Sequence, residues 1–177
     1  TGVDLSGVRV QNAKDKMAGL DQPEQTKLAF EKASATELPF EEGTFSHLWC
    51  QAVIYHVPDK EAALSEAYRV LKPGGRLAIL EFGEPPLPLL RSLYLWYFRR
   101  VLPRVGRMLS KHTEAYAYLP ASVSAFLTPD AFALLLRTSG FSEVTVDRLT
   151  CGVVYLYVGR KPTSSSDRAV GGALPAR

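Results

Sequence analysis

An α/β fold, with a doubly wound parallel sheet closed by an antiparallel pair, is what this sequence predicts. Three observations carry the prediction. The first is the stretch Asp59 to Phe82. Ala62, Ala63, Ala67, Val70 and Leu71 recur at helical spacing, with Lys60, Glu61, Glu66 and Arg69 between them. Lys72-Pro73-Gly74-Gly75 then stops the helix in a sharp turn, because Pro73 has no amide hydrogen and the glycines permit positive φ. Arg76 to Phe82 follows as a short apolar run of the kind that a parallel strand buried on both faces shows. The second observation is the order that leads to this unit, β-α-β-β-α-β. The third is the ending, where an alternating segment and an apolar segment meet at a glycine.

Taken in order, Thr1 to Leu5 reads as the end of a strand, and Ser6 as the cap of a helix from about Gly7 to Leu20. Asp21-Gln22-Pro23 breaks that helix. Lys27 to Ala33 is a short strand, Ser34 to Thr44 a loop, and Phe45 to Val53 a second buried strand. Thr128-Pro129 opens a later helix that Ser139-Gly140 ends. Phe141 to Leu149 alternates, with Val144 and Val146 set against Glu143, Thr145 and Asp147. Val153 to Val158 forms the last strand, and Gly152 separates the two. The domain therefore runs over 1–161. From Pro162 the periodicity is lost, and 162–177 is expected to be a disordered tail.

Composition sets bounds on function. The chain has 177 residues, 46% of them hydrophobic and 22% charged, enough for one real core. A net charge of +3, without a concentrated basic stripe on a face, gives no reason to expect a nucleic-acid partner. Cys50 and Cys151 lie far apart with no metal-ligand spacing, so both read as thiols of a reducing, intracellular compartment, cytoplasmic or organellar. No apolar run reaches the roughly 20 residues of a membrane-spanning helix, and no signal peptide is visible at the start.

Residues 85–126 interrupt the alternation as a helical insertion. Leu89, Leu90, Leu93, Tyr94, Trp96, Tyr97 and Phe98 form an aromatic helix candidate. Between Leu87 and Lys111 there are six basic residues and no acidic one. Two readings compete. The insertion covers a sheet edge with its arginines in water, or 87–111 is a basic aromatic surface that touches a membrane and admits a lipidic substrate.

These residues and their order resemble a class I S-adenosylmethionine-dependent methyltransferase. The resemblance is carried by Gly2-Val3-Asp4-Leu5-Ser6, by Leu38-Pro39-Phe40 followed by Gly43-Thr44-Phe45, by Arg69 to Gly75, and by the closing strands. Within that superfamily the chain is most similar to the ubiquinone/menaquinone C-methyltransferases of the UbiE/MenG type. The stretches Leu80-Glu81-Phe82, Val101 to Gly106, Glu114 to Ser122, Gly140-Phe141 and Leu149 to Val154 carry that likeness, which covers about 2–161. It implies a Rossmann-like sheet with helices on both faces, S-adenosyl-L-methionine as cofactor, and a small, lipidic, aromatic quinol-like acceptor.

The resemblance also assigns residues. Asp4, with Leu5 beside it, falls where the family holds the ribose hydroxyls, although an acid there also serves as the lead-in to a helix. Ser34 and Ala35 fall where the family meets adenine, but Ser34 replaces the usual acid. Gln51 falls near the methionine part or the acceptor. Tyr55-His56 replaces an Arg-Asn pair ahead of Val57-Pro58-Asp59, and His56 is a candidate general base for removing a phenol or ring proton. The other reading of His56 is a loop histidine near a helix start. Tyr94, Tyr97, Tyr116 and Tyr118 are candidates for an aromatic acceptor pocket, or for packing within the insertion. No metal is implied.

The family's glycine-rich loop, which follows its first strand, has no counterpart ahead of Gly2. The expected sheet therefore lacks its first, central strand, and the chain reads as a fragment that binds S-adenosylmethionine weakly by itself. Two rival functions remain at this point: a methyltransferase of another small acceptor, and a non-catalytic interaction domain with an open sheet edge. A nicotinamide-binding Rossmann domain fits less well, since its sheet does not end in an antiparallel pair.

Overall fold

The structure is a computed structural model that describes residues 1–18, 28–101 and 126–163. Gly2–Asp4 (β1) leads into helix Gly7–Ala18 (α1), then Phe30–Lys32 (β2) and Phe45–Gln51 (β3). A 3-10 turn over Ile54–His56 precedes helix Lys60–Val70 (α2) and the long strand Leu71–Phe82 (β4). Helix Pro88–Trp96 (α3) continues as a π-helical turn over Tyr97–Val101. Helix Pro129–Thr138 (α4), strand Ser142–Leu149 (β5) and strand Val154–Arg160 (β6) complete the described chain.

The local chemistry accounts for the boundaries. Asp59 caps α2, its carboxylate accepting the Ala62 amide at 2.8 Å. Thr128 caps α4 through its hydroxyl, and Pro129 occupies the first turn, where a missing N–H costs nothing. The expected end of α1 and Lys27, which fall in 19–27, and the second half of the insertion, in 102–125, lie outside the described residues. The tail from 164 is also outside them.

The sheet is in two pieces. β1 and β2 pair in parallel, Val3 opposite Glu31. The second piece has the order β3-β4-β6-β5. β3 and β4 are parallel, whereas β6 is antiparallel to both β4 and β5. This is the closing pair that the sequence predicts. Among the described residues no strand joins the pieces, so β1 and β3 each have one edge without a ladder partner. The core lies under the larger piece, where Leu64, Leu71, Ile79, Phe132, Leu136 and Tyr157 are all but sealed from solvent. Among the described residues no helix is long and apolar enough to cross a membrane.

One expectation is corrected. The turn Lys72-Pro73-Gly74-Gly75 does not separate helix from strand. The helix ends at Val70, Leu71 is already extended, and the four residues are an irregularity within β4. Phe45 pairs with Leu71 and His47 with Arg76, so residues 72–75 stand opposite Ser46 alone. The physical reason is a second set of partners. The Gly74 amide donates to the Lys161 carbonyl and the Lys161 amide to the Gly75 carbonyl, both at 2.8 Å. Gly74 supplies the required φ of +77°.

Candidate active site

In an open sheet with parallel strands, ligands meet the carboxyl ends of those strands. Four such ends matter here: Asp4 on β1, Ser34 and Ala35 just past β2, Gln51 on β3, and Glu81 to Gly83 on β4.

Asp4 does lead in the helix. Its Oδ1 accepts the Ser6 amide at 2.7 Å, and Ser6 Oγ in turn accepts the Arg9 amide at 3.4 Å. Its Oδ2 faces the Arg9 guanidinium at 3.6 Å and keeps further accepting capacity. Leu5 beside it is 69% exposed. Ser34 turns inward to its own loop, with its hydroxyl 2.8 Å from that of Thr36 and accepting the Thr36 amide at 3.2 Å. Ala35 packs against the main core.

That loop is held from α2. Glu66 accepts the Leu38 amide at 2.9 Å, and Arg69 donates to the carbonyls of Phe40 at 2.7 Å and Leu38 at 3.0 Å. Glu66 and Arg69 also pair with each other at 2.7 Å. The Arg69 cation, first through that hydrogen bond, holds the Glu66 carboxyl below the ordinary range. Sequence reading places this pair only on the wet side of a helix. Its Leu38-Pro39-Phe40 partner is the signal that links the two.

Gln51 ends β3 exposed. The chain then turns at Ala52, in the left-handed region at φ +52°. The Val53 and Ile54 amides both donate to Glu81 Oε1, at 2.9 and 2.7 Å. The ring of Tyr55 lies 3.9 Å from that of His56, tilted by 36°. Partial burial, and then the charge of Arg9, hold His56 below the ordinary histidine range. Glu81 is 1% exposed, and burial pushes its carboxyl up to about 7 against the opposing pull of the loop amides. Sequence reading carries Glu81 only as the residue where β4 reaches the site face. A lone acid inside the apolar run Leu77–Phe82 is the signal for more.

A cavity of about 700 Å³ opens beyond the end of β4, between Phe82 to Pro86, the start of α4, and Tyr155 with Tyr157. Arg91 and Glu84, paired at 2.6 Å, stand at its side. Tyr94 is buried in the fold, its hydroxyl pushed up to about 12 by burial and by Glu84. Tyr97 is 44% exposed, and neither tyrosine lines this cavity. Tyr116 and Tyr118 lie outside the described residues. The structure thus gathers Gln51, Tyr55 and His56 into one turn, with Asp4 and Ser34 at neighbouring strand ends. Cys50 and Cys151 are free thiols.

A protein from Rhizobium johnstonii, named ubiquinone/menaquinone biosynthesis C-methyltransferase UbiE, is 43% identical over 159 residues, covering 89% of this chain and 58% of its own length. The demethylmenaquinone methyltransferase of Thermus thermophilus is 43% identical over 136 residues, covering 77% of this chain and 61% of its own. This chain thus spans about three-fifths of the length of these relatives. Among solved structures, a SAM-dependent methyltransferase from Methanosarcina mazei superposes with a TM-score of 0.62 at 22% identity, covering 92% of this chain and 82% of that one. That likeness speaks for the fold. The model of the ubiE/COQ5 methyltransferase family matches residues 1–161, and the chain belongs to that family.

Proposed function

We propose that this chain carries the site of an S-adenosylmethionine-dependent methyltransferase that acts on a ring carbon of a prenylated quinol. The observation that carries the reading is the family match over 1–161, which takes in all the strand ends described above. The nucleoside half of the cofactor suits Asp4 and Leu5, a carboxylate with a spare lone pair beside an exposed apolar side chain. Ala35 offers its backbone on the adenine side, and Gln51 a side-chain amide toward the methionine part.

When bound, S-adenosylmethionine supplies an electrophilic methyl on a sulfonium. The acceptor carbon would form the new carbon–carbon bond as the methyl–sulfur bond breaks and its electron pair stays on sulfur, leaving a neutral thioether, and the ring proton then has to leave. His56 is the group placed to take it. Partial burial and the charge of Arg9 hold its imidazole below the ordinary range, which favours the neutral form that a general base needs. Tyr55, tilted against it at 3.9 Å, restricts the imidazole's freedom to turn. The cavity beyond β4 offers room for the acceptor.

The acceptor's prenyl chain suggests where the protein works. Leu87, Leu89, Leu93 and Trp96 are 63%, 85%, 59% and 56% exposed, and the sequence from Leu87 to Lys111 has no acidic residue. Such a surface suits contact with an anionic membrane. A second reading, an interaction domain without catalysis, draws on the edges of β1 and β3 that have no ladder partner among the described residues. Methyl-labelled cofactor and a prenylated quinol in vesicles decide between them. Label on a quinol ring carbon is the expected result. Label that goes only to a soluble amine acceptor, or to nothing, overturns the proposal.

A further inference from the structure

The turn that carries Tyr55 and His56 is gripped at both ends by charged side chains from elsewhere in the fold. At its start, Glu81 Oε1 accepts two successive amides, Val53 and Ile54. At its end, Lys60 Nζ donates to the Val57 carbonyl at 2.9 Å. Ala52 adds a main-chain tie, its amide donating to the Leu80 carbonyl at 2.9 Å. The left-handed φ of Ala52 turns the next amides toward Glu81, and a non-glycine residue holds that conformation only when its surroundings compel it.

Glu81 sits in an unusual place for this work. It is all but inaccessible to solvent, and its Oε2 has no hydrogen-bond partner among the described residues. An unpaired carboxylate oxygen in such a place is costly, whereas a protonated one is much less so. We propose that Glu81 is a positioning residue whose proton sets how firmly the turn bearing Tyr55 and His56 is held over the site. As a clamp on the turn it stands by itself. As a positioning residue for methyl transfer it rests on the function proposed above.

The groups that face Glu81 are few. Cys50 on β3 is a thiol pushed up to about 12, mainly by burial and then by Glu81 itself. Lys60 at the start of α2 is the cation that favours the charged form. Tyr155 stands opposite Glu81 in the β4–β6 register, and Tyr157, raised chiefly by burial, feels Glu81 as well. Cys50 and Tyr157 are both pushed up, away from neutrality, whereas burial brings the Glu81 carboxyl up to about 7. The ionised form makes charge-assisted bonds to the two amides, which are stronger than those of the neutral acid.

The test is nuclear magnetic resonance of the 15N-labelled chain from pH 5 to 9, with no cofactor present. The Val53 and Ile54 amides are expected to shift together through one transition centred at about 7. Glu81→Gln, which keeps an accepting oxygen, should remove that transition and leave amides of β5 in place. His56→Gln should leave it intact, which separates it from the histidine. If neither amide titrates, or if the transition persists in Glu81→Gln, the proposal is overturned. In an active enzyme the kcat limb near neutrality should vanish in Glu81→Gln, with KM for the cofactor within about twofold, the signature of a group acting on the chemical step. A limb that survives overturns the positioning role, while a wild type that transfers no methyl defeats the functional reading alone.

Discussion

Lys161 and Leu71 are joined across 90 residues of sequence: the Lys161 ammonium donates to the Leu71 carbonyl at 2.8 Å. The same nitrogen donates to the Tyr68 carbonyl at 2.9 Å and lies 4.7 Å from the centre of the Tyr68 ring. These carbonyls belong to the unsatisfied end of α2, where a cation is favoured by the helix dipole. Lys161 is 8% exposed and does the capping that the sequence assigns to the glycine turn. Lys161→Met is expected to cost about 2–3 kcal/mol, since buried carbonyls lose a charged donor. Urea midpoints at neutral pH measure it, and an unchanged midpoint would refute the cap.

Glu81 predicts a pH dependence opposite to that of most acids. Its folded value, about 7, lies above the ordinary 4.5. Between these values the native state keeps a proton that the unfolded chain has released. The contribution is therefore complete below about 4.5 and is lost as pH rises to about 7, by roughly 3 kcal/mol. His56 works in the other sense, since its folded value lies below 6.5 and its contribution is lost as pH falls. The difference in unfolding free energy between wild type and Glu81→Gln isolates the acid. It should narrow from pH 5 to pH 8, and a constant difference would contradict the assignment.

Gly152 closes the turn between β5 and β6 with φ +93°, after Thr150 and Cys151, which are also left-handed. A Cβ there would stand 2.7 Å from Pro86 Cδ and 3.1 Å from the Tyr155 hydroxyl. Gly152→Ala should cost about 2 kcal/mol or more, combining backbone strain with overpacking. Thermal unfolding tests this, and a melting temperature equal to wild type would show that the turn relaxes freely.

The exposed face of α3 predicts vesicle binding. Flotation with anionic vesicles should fall severalfold when Leu93 and Trp96 become serine, and also when Arg100 becomes glutamate. Binding that survives both changes places the membrane contact elsewhere.

The sequence conveys the strand order and the antiparallel ending because these rest on local periodicity and on turn residues, and both survive folding unchanged. Thr128 is legible as a cap for the same reason. The Lys72–Gly75 segment is misread because its shape depends on Lys161, a partner almost 90 residues away that local pattern cannot announce. Glu81 is half-legible: its place at the end of a strand is plain, but its grip on Val53 and Ile54 depends on parallel pairing with β3. Ser34 shows the reverse case, a residue at the expected place whose hydroxyl is spent on Thr36.

The division of the sheet bears on cooperativity. Among the described residues, β1, α1 and β2 have no ladder to the four-stranded piece, and the loop after β2 is fastened to it by Arg69 and Glu66 through side-chain bonds to Leu38 and Phe40. Ladders transmit order residue by residue, whereas a few side-chain ties release together. The described residues accordingly form two pieces of unequal local stability, and the smaller one contains Asp4. Local opening of the smaller piece is therefore expected at a lower free energy than opening of the core around Phe132 and Tyr157.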